Sequence, residues 1–394
     1  MSAEPLPLEG ILVLDFSQFL AAPMAAMRLG DLGARVIKIE RPQGGDIGRR
    51  LAFAGIVEDG DTLSFHITNR NKESYAADLK NEDDLPGVWA LVAKADVIIQ
   101  NFRPGIMERL GFGYDAVAAV NPGIVYASVT GYGTEGPWRD RPGQDLLAQS
   151  LSGLPWLNGS EEDPPVPVGI ALADIISSIH LASGITAALL RRERTGKGGR
   201  VDTSLLESML DLQYELLSAH LGDSSIQVKR GARNTAHAFL QAPYGVYPTA
   251  NGYLSIAMTS VTELGALIGL KQLEQYTDPQ TWWTEQTAIT RALADHLATQ
   301  STEHWLAILD AADVWCAPVL TLPQLVEHDG FRALDMTQTV ERRAADGGEP
   351  VRLQTTRAPV RFDGHPLKTT RGAPRLGEHT AAIKAEFTEG AVER

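Results

Sequence analysis

Asp174 is the residue whose type and surroundings point most directly to chemistry. Residues 168–190 read VGIALADIISSIHLASGITAALL, so this one carboxylate heads an apolar, helix-forming segment. A charge among Ala, Leu and Ile side chains is costly unless it caps a helix or acts as a nucleophile. As an N-cap it would accept hydrogen bonds from first-turn N–H groups. The two roles are compatible, because a helix N-terminus would also keep the carboxylate ionised.

Motifs for other kinds of chemistry are missing. The nine histidines show no H-E-x-x-H or comparable spacing, so no metal is expected, and no G-x-S-x-G elbow occurs. The G-x-G-x-x-A match at 111–116 does not directly follow a predicted strand, and the glycines at 196–199 end a helix instead of opening a phosphate-binding loop. His180 lies within the long helix and is interpreted as a packing residue.

Composition limits the partners and the compartment. The 394 residues carry a formal net charge of −14, which argues against nucleic acid or an anionic membrane as a general partner. The single cysteine, Cys316, cannot form an intrachain disulfide, and its apolar neighbours predict a buried structural thiol. The first ten residues lack a secretory signal pattern, and no apolar run reaches about 18 residues uninterrupted. A cytoplasmic protein without a membrane span is expected.

The first half of the chain alternates strands and helices. Continuous apolar runs predict strands at 10–15, 35–40, 95–100 and 123–129. Helical patterns separate them, and a long helix is predicted at 173–194. This order predicts an α/β fold with a Rossmann-like, doubly wound parallel sheet.

The second half changes character. Asn251 and Gly252 predict a hairpin turn, and mostly helical sequence follows from 262 to 312. We therefore predict a large domain at 1–200 and 325–394, a linker helix and loop at 201–235, and a smaller α+β domain at 236–324.

Six of the cations in the first half are candidate ligand contacts, since its sheet would bind a ligand beyond the carboxyl ends of its strands. Singly, each is typical of a solvated surface, but together they favour a phosphate-bearing ligand. They are Arg41, Arg49, Arg50, Lys72, Arg103 and Arg109.

Seven segments, in order between about residue 8 and residue 380, resemble class III CoA-transferases, the family of formyl-CoA transferase and carnitine CoA-transferase. They are ILVLDFSQFLAAPMAAMRLGDLGARVIKIERPQGGD, NRNKESYAADLK, ADVIIQNFRPGIMERLGFGYD, NPGIVYASVTGYGTEGPW, PGQDLLAQSLSG, ALADIISSIHLASGI and APRLGEHT. The resemblance implies a Rossmann-like large domain, a small domain on long linkers, and an interlocked homodimer of ring-like chains.

The resemblance also implies the reaction. It puts the family's catalytic aspartate at Asp174, which would attack an acyl-CoA thioester and pass through aspartyl-acyl anhydride and aspartyl-CoA thioester intermediates. The implied substrates are coenzyme A, carried as an acyl-CoA, and a small carboxylic acid. Because each step forms an oxyanion, N–H donors should line the site, and Gly131 and Gly133 are our candidates.

The family's CoA contacts map onto five positions of this chain, and two further cations are candidate additions. The five are Leu20, Ala21, Arg41, Asn101 and Arg109, and the additions are Lys80 and Arg103. Arg41 and Asn101 also follow predicted strand ends, where the fold argument independently expects a ligand.

Two departures from the family pattern bear on the substrate and reaction. Formyl-CoA transferases carry a run of four successive glycines that residues 229–247 of this chain lack, which puts formyl-CoA and oxalate in doubt. The related α-methylacyl-CoA racemases have a histidine where this chain has Gln144, and an amide cannot abstract a proton. CoA transfer is therefore favoured; a 2-methylacyl-CoA racemase and a non-catalytic acyl-CoA-binding protein are the alternatives.

Overall fold

The computed structural model describes residues 5–51, 55–226, 228–344 and 348–388, and the chain divides into two units. The first unit comprises Met1–Gln149, Ile170–Leu212 and Asp335–Arg394, and the second comprises Ser150–Gly169 and Gln213–Leu334. These bounds differ from the predicted domains: residues 201–212 belong to the first unit, whereas 150–169 and 325–334 belong to the second. Residues 201–212 join the first unit because a sheet strand begins just before them.

A parallel sheet organises the first unit. In chain order the strands are β1 (Leu12–Asp15), β2 (Arg35–Glu40), β3 (Val57–Glu58), β4 (Asp61–Thr62), β5 (Lys72–Ala76), β6 (Val97–Gln100), β7 (Val125–Thr130) and β8 (Gly199–Ser204). All except the β3–β4 hairpin form one sheet in the order β5-β2-β1-β6-β7-β8, with every neighbouring pair parallel. Without the hairpin this is the 3-2-1-4-5-6 order of doubly wound nucleotide-binding folds. The predicted α/β class is confirmed.

The four strands predicted from apolar runs are the inner strands β1, β2, β6 and β7. The sequence did not indicate β5 and β8, whose residues read KESYA and GRVDTS. These two are the edge strands of the sheet. β8 is partly exposed, whereas β5 is largely buried but pairs Lys72 and Ser74 with buried carboxylates, so no continuous apolar run marks either strand.

Helices flank the sheet. They are α1 (Ala21–Asp31), α2 (Leu63–Asn69), α3 (Leu85–Val92), α4 (Ile106–Arg109), α5 (Tyr114–Val120), α6 (Asp145–Ser152), α7 (Leu172–Thr195) and α8 (Leu205–Leu212). The long helix α7 packs against α1, α8, β7 and β8, and buries Ala173, Leu181 and Ile185. It ends at Gly196, whose φ of 70° is a left-handed conformation that favours glycine.

By length and composition alone, α7 could cross a membrane, which the sequence reasoning did not anticipate. Its interruptions are mainly Ser, Thr and His, which leave the helix apolar on average. A core helix passes the same test, and α7 packs on both helices and strands of its own unit. The absence of a membrane span stays a prediction.

The second unit combines a small antiparallel sheet with helices. Its elements are α9 (Tyr214–Gly222), β9 (Gly245–Pro248), β10 (Tyr253–Ile256), α10 (Val261–Ile268), α11 (Pro279–Thr284), α12 (Gln286–Leu297), α13 (Thr302–Ala311), β11 (Cys316–Pro318), α14 (Leu322–Glu327) and α15 (Asp329–Leu334). The hairpin predicted from Asn251 and Gly252 is confirmed as β9–β10. Tyr247, Leu264 and Trp305 lie in the core of this unit.

The C-terminal segment returns to the first unit as β12 (Thr337–Arg342), β13 (Val351–Thr356), β14 (Arg361–Phe362), β15 (His365–Pro366) and α16 (Thr380–Thr388). Arg342 anchors it, because its guanidinium donates to Asp61 Oδ2 at 2.7 Å and both side chains are largely buried. The segment is thereby tied to the β3–β4 hairpin.

Candidate active site

The predicted ligand crevice lies where the strand order of the sheet reverses, between β1 and β6. Asn101, directly after β6, binds the loop that follows β1 in both directions. Its Oδ1 accepts from the Gln18 N–H at 2.9 Å, and its Nδ2 donates to the Gln18 carbonyl at 2.7 Å. This loop leads into Leu20 and Ala21 at the start of α1. Leu20, Ala21 and Asn101, three of the predicted CoA contacts, therefore follow the carboxyl ends of β1 and β6 in segments that hydrogen bonds join.

Phe19 in the same loop has an uncommon conformation. Its φ is 67°, in the left-handed region, and its aromatic side chain is half exposed. The Phe19 N–H donates to Asp46 Oδ1 at 3.1 Å, and Lys38 Nζ donates to the Ser17 carbonyl at 2.8 Å. A left-handed conformation strains the backbone of a residue other than glycine, so it persists only where several surrounding contacts hold it. Such strained residues are common at functional sites.

The cations of the first half separate into two groups. Arg49 and Lys72 are buried in ion pairs with Glu40 and Asp15, so the expectation that they supply phosphate contacts is wrong. Lys72 begins β5 and Arg49 lies in a short turn after β2, and both side chains turn into the fold, where a carboxylate neutralises them. The exposed cations form no ion pair with any described residue; they are Arg41, Arg50, Lys80, Arg103 and Arg109.

Asp174 is the third residue of α7, not its N-cap, which is Ala171. The carboxylate is half-buried, and no N–H or O–H group of residues described in the structure donates to it. Asp174 therefore does not act as the N-cap of α7, the role that the sequence had left open. Its carboxylate oxygens accept no hydrogen bond from the part of the chain that the structure describes.

Asp145, the first residue of α6, provides the cap instead. Its Oδ1 accepts from the Asp174 N–H at 3.1 Å, and its Oδ2 accepts from Gln149 Nε2 at 2.7 Å. Gln149, which is buried, also donates to the Ile170 carbonyl at 3.2 Å. Neither Asp145 nor Gln149 was identified from the sequence, since nothing in the pattern pairs residues 29 positions apart.

The ionisation of Asp174 differs from the expectation. Burial, and secondly the like charge of Asp145, raise the pKa of Asp174 to about 7. The sequence suggested that the helix N-terminus would hold the carboxylate ionised, but the Asp174 N–H donates to Asp145, and among the described residues no donor reaches the Asp174 oxygens. A carboxylate with a raised pKa is, once ionised, a more basic and stronger nucleophile.

Gly131 and Gly133, our candidate oxyanion donors, follow the end of β7. The Gly133 N–H is already donated to Thr130 Oγ1 at 2.9 Å, so it is not free in this structure. Gly131 touches Gly143: a Cβ on Gly131 would lie 2.6 Å from the Gly143 Cα. The structure thus gives Gly131 a packing role, in which it closes the loop at 132–142, and its donor role stays a prediction.

Gln144 and His180 lie on either side of Asp174 in the sequence. Gln144 is exposed and precedes α6. His180 contacts Ser208 Oγ at 3.0 Å through Nδ1 and Asp211 Oδ2 at 3.1 Å through Nε2. This set resembles a Ser-His-Asp triad in residue types, but Ser208 is buried within α8 and cannot reach a substrate. His180 therefore joins α7 to α8, in agreement with its predicted packing role.

Two other predictions concern cysteine and metal. Cys316 is half-buried in β11, not fully buried as expected, because the strand has the sheet on one side only. Burial and Asp310 raise the pKa of its thiol to about 11, so it is protonated at neutral pH. In the described ranges of the chain, no group of three His, Cys, Asp or Glu side chains could hold a metal ion.

The region without the four glycines lines a cleft of the second unit. The cleft has a volume of about 380 Å³, and its walls include Arg230, Arg233 and His237. Arg230 is held by the carbonyls of Asn158 and Pro164, at 3.3 and 2.9 Å. Asp163 also lines the cleft and Glu162 pairs with Arg233 at 3.6 Å, so the walls carry charges of both signs.

Comparisons with known proteins agree on one family. The model of CoA-transferase family III matches residues 8–380. The chain is 31% identical to succinyl-CoA:glutarate CoA-transferase of Mus musculus, over 98% of this chain and 88% of that protein. It is 34% identical to acetyl-CoA:oxalate CoA-transferase of Acetobacter aceti, over 97% of this chain and 96% of that protein.

Solved structures give the same result. A CAIB/BAIF family protein from Brucella suis superposes with a TM-score of 0.83 at 31% identity, covering 98% of this chain and all of that one. Rv3272 from Mycobacterium tuberculosis superposes with a TM-score of 0.81 at 30% identity, covering 96% of this chain and 99% of that one. The likeness extends over both units.

Proposed function

This chain belongs to CoA-transferase family III, and from that premise we propose that Asp174 is the nucleophile through which it moves CoA from an acyl-CoA donor to a carboxylic acid. The enzyme class is CoA-transferase, and its substrates are CoA thioesters. One observation carries the proposal for Asp174: its carboxylate is half-buried at the head of α7, has a raised pKa, and accepts no hydrogen bond from the described residues. Such a group is costly to the fold and available to a substrate.

The proposed reaction consists of four acyl exchanges at one carboxylate. Ionised Asp174 attacks the thioester carbonyl of the donor, the C–S bond breaks, and CoA thiolate leaves a mixed anhydride. The thiolate then attacks the Asp174 carbonyl, which releases the donor acid and forms an aspartyl-CoA thioester. The acceptor carboxylate displaces the thiolate to form a second anhydride. The thiolate finally attacks the acceptor carbonyl, which yields the new acyl-CoA and restores Asp174.

We propose that the crevice between β1 and β6 binds the CoA moiety. Leu20, Ala21 and Asn101 would contact it at the strand-order reversal, the position that doubly wound folds use for nucleotides. Exposed cations following the carboxyl ends of β2, β5 and β6 would bind its phosphates. They are Arg41, Lys80, Arg103 and Arg109.

We infer that the acids exchanged are small dicarboxylates. Relatives that cover nearly the whole chain are named for glutarate, oxalate, L-malate and mesaconate, with succinyl-CoA or acetyl-CoA as the partner. Each of these four acids carries two carboxylates, so one can react while the other is recognised by a cation.

We also propose a homodimer. Large apolar side chains of the second unit are exposed, notably Tyr214, Trp315 and Leu322, and burying this apolar surface against another chain would be favourable. The family resemblance implies that a second copy of the chain covers it. Light scattering in solution should give twice the chain mass of 42.6 kDa, and a monomer would contradict the proposal. The cytoplasmic location stays a prediction.

Chemical trapping tests the covalent mechanism. The enzyme is incubated with succinyl-CoA, treated with hydroxylamine and digested for peptide mass spectrometry. Hydroxylamine converts an aspartyl anhydride or thioester into a stable hydroxamate, so the expected result is a hydroxamate at Asp174 that requires the donor. Asp202 is a matched carboxylate in β8 and should stay unmodified. Transfer activity without any adduct at Asp174 would contradict the proposed nucleophile.

A further inference from the structure

We propose that Asp145 is a positioning residue for the transfer reaction: it holds the first turn of α7 by a backbone hydrogen bond, and its charge favours the acylated, uncharged state of Asp174. The inference rests on the proposed role of Asp174 as the nucleophile. Asp145 lies one residue after Gln144, and no role was assigned to it from the sequence.

The geometry provides the positioning part. Asp145 uses both carboxylate oxygens: one accepts from the Asp174 N–H, and the other accepts from the buried Gln149 amide. The same amide nitrogen donates to the Ile170 carbonyl, just before α7 begins. Side chains on α6 therefore fix both the residue that precedes α7 and the backbone of its nucleophile. A nucleophile displaced by about 1 Å can lose on the order of a hundredfold in rate, so this clamp matters for the chemistry.

Charge provides the second part. Asp145 and ionised Asp174 repel each other, and the half-buried setting of Asp174 weakens the screening of that repulsion. When Asp174 becomes an anhydride or a thioester, it loses its charge, and the repulsion disappears. The carboxylate of Asp145 thus raises the free energy of the resting ionised enzyme relative to each covalent intermediate.

Other charged groups on elements packed against α7 lie farther along the helix. Arg28 of α1 donates to Ser178 Oγ at 3.2 Å, and Asp211 of α8 pairs with His180. On β8, Asp202 is paired with Arg200 at 3.2 Å. Burial is the larger cause of the raised pKa of Asp174, and Asp145 is the charged neighbour that raises it further.

Two substitutions separate the two parts. Asp145→Asn removes the negative charge but keeps one oxygen that can accept the Asp174 N–H. Asp145→Ala removes the charge and the hydrogen-bond acceptors together. Asp211→Asn is the matched control, because it neutralises a carboxylate that contacts α7 away from its first turn. Each full-length variant is assayed for kcat/KM with succinyl-CoA between pH 5.5 and 9, and for the hydroxamate yield at Asp174 at a fixed ratio of succinyl-CoA to CoA.

The wild type should lose kcat/KM as the pH falls below about 7, because protonated Asp174 cannot attack. Asp145→Asn should shift this limb to lower pH, by on the order of one unit, and should lower the hydroxamate yield at pH 8. Asp145→Ala should in addition lower kcat by on the order of ten- to a hundredfold. Substrate ionisations are common to all variants and do not affect the comparison.

The inference is overturned if Asp145→Asn retains the wild-type pH limb and hydroxamate yield, or if Asp145→Ala loses no more kcat than Asp211→Asn. A wild type that transfers CoA without a hydroxamate at Asp174 would instead overturn the proposed nucleophile, so the two failures are distinguishable. Should Asp145→Ala fold poorly, judged by its thermal unfolding midpoint, the asparagine variant alone decides the electrostatic part.

Discussion

Asp174→Ala is expected to lower kcat for CoA transfer by about four orders of magnitude or more, while the affinity for CoA should stay close to that of the wild type. The reason is that every proposed exchange passes through a covalent bond to this carboxylate, so its removal leaves no nucleophile. Asp174→Asn retains the shape and should be nearly as inactive. The measurements are steady-state transfer with succinyl-CoA and a carboxylic acid, and calorimetric titration with CoA.

The Asp174→Asn substitution should also make the folded protein more stable than the wild type at alkaline pH. Because the pKa of Asp174 is raised to about 7, the folded state stays protonated between about pH 4 and 7 while the unfolded chain ionises. Stability from this group is therefore present at acid pH and lost as the pH rises through 7. Asp174→Asn should unfold at a higher temperature than the wild type at pH 8, and the difference should shrink toward pH 4. An active Asp174→Ala enzyme, or a pH-independent stability difference, would contradict the assignment.

The inner part of the sheet could be predicted from the sequence because its strands are buried on both faces. Continuous apolar runs mark β1, β2, β6 and β7, and their parallel order brings the residues after them to one edge. The edge strands β5 and β8 could not be found in this way. Their polar residues are equally typical of loops, and those of β5 are buried only because distant carboxylates pair with them.

Although its role as the nucleophile stays a prediction, Asp174 could be singled out from the sequence because a lone carboxylate in an apolar helix has few explanations. Its environment could not, since that depends on Asp145 in another helix. The sequence also led to the opposite ionisation, because a first-turn position alone favours the charged form. In the structure, burial and a second carboxylate outweigh that preference.

The prediction of phosphate contacts from the cations was limited in a similar way. A lysine or arginine near a strand end predicts a phosphate contact only if its side chain points outward. Lys72 is at the start of β5 and points inward, where Asp15, Asn69 and the Pro23 carbonyl accept from it. Such partners come from distant parts of the chain, so no local pattern shows them.

Lys72→Met should destabilise the first unit by about 3–5 kcal/mol, because it leaves a buried carboxylate without its main partner. Lys72 and Asp15 are both fully buried, and Lys72 Nζ lies 2.8 Å from Asp15 Oδ2. Lys38 is also near Asp15, but at 3.6 Å, and it is shared with Asp46 at 2.9 Å. Burial raises the pKa of Asp15, yet Lys38 and Lys72 outweigh burial and hold the pKa below its usual range. The stability contributed by the Asp15 carboxylate is therefore present at neutral pH and is lost in acid, whereas burial lowers the pKa of Lys72 to about 8.

Hydrogen exchange gives the sharpest measurement, since it reports β1 and β5 separately from the second unit. Amides of these strands should exchange about a hundredfold faster or more in Lys72→Met at neutral pH, while those of β9 and β10 stay near wild-type rates. Lys94→Met is the matched control, because Lys94 is exposed and forms no salt bridge with any described residue. It should change the free energy of unfolding by less than about 0.5 kcal/mol. If both variants lost a similar free energy of unfolding, the buried Lys72–Asp15 pair would contribute no more than an exposed lysine. The loop following β1 would then be held by Asn101 and Asp46 without help from that pair.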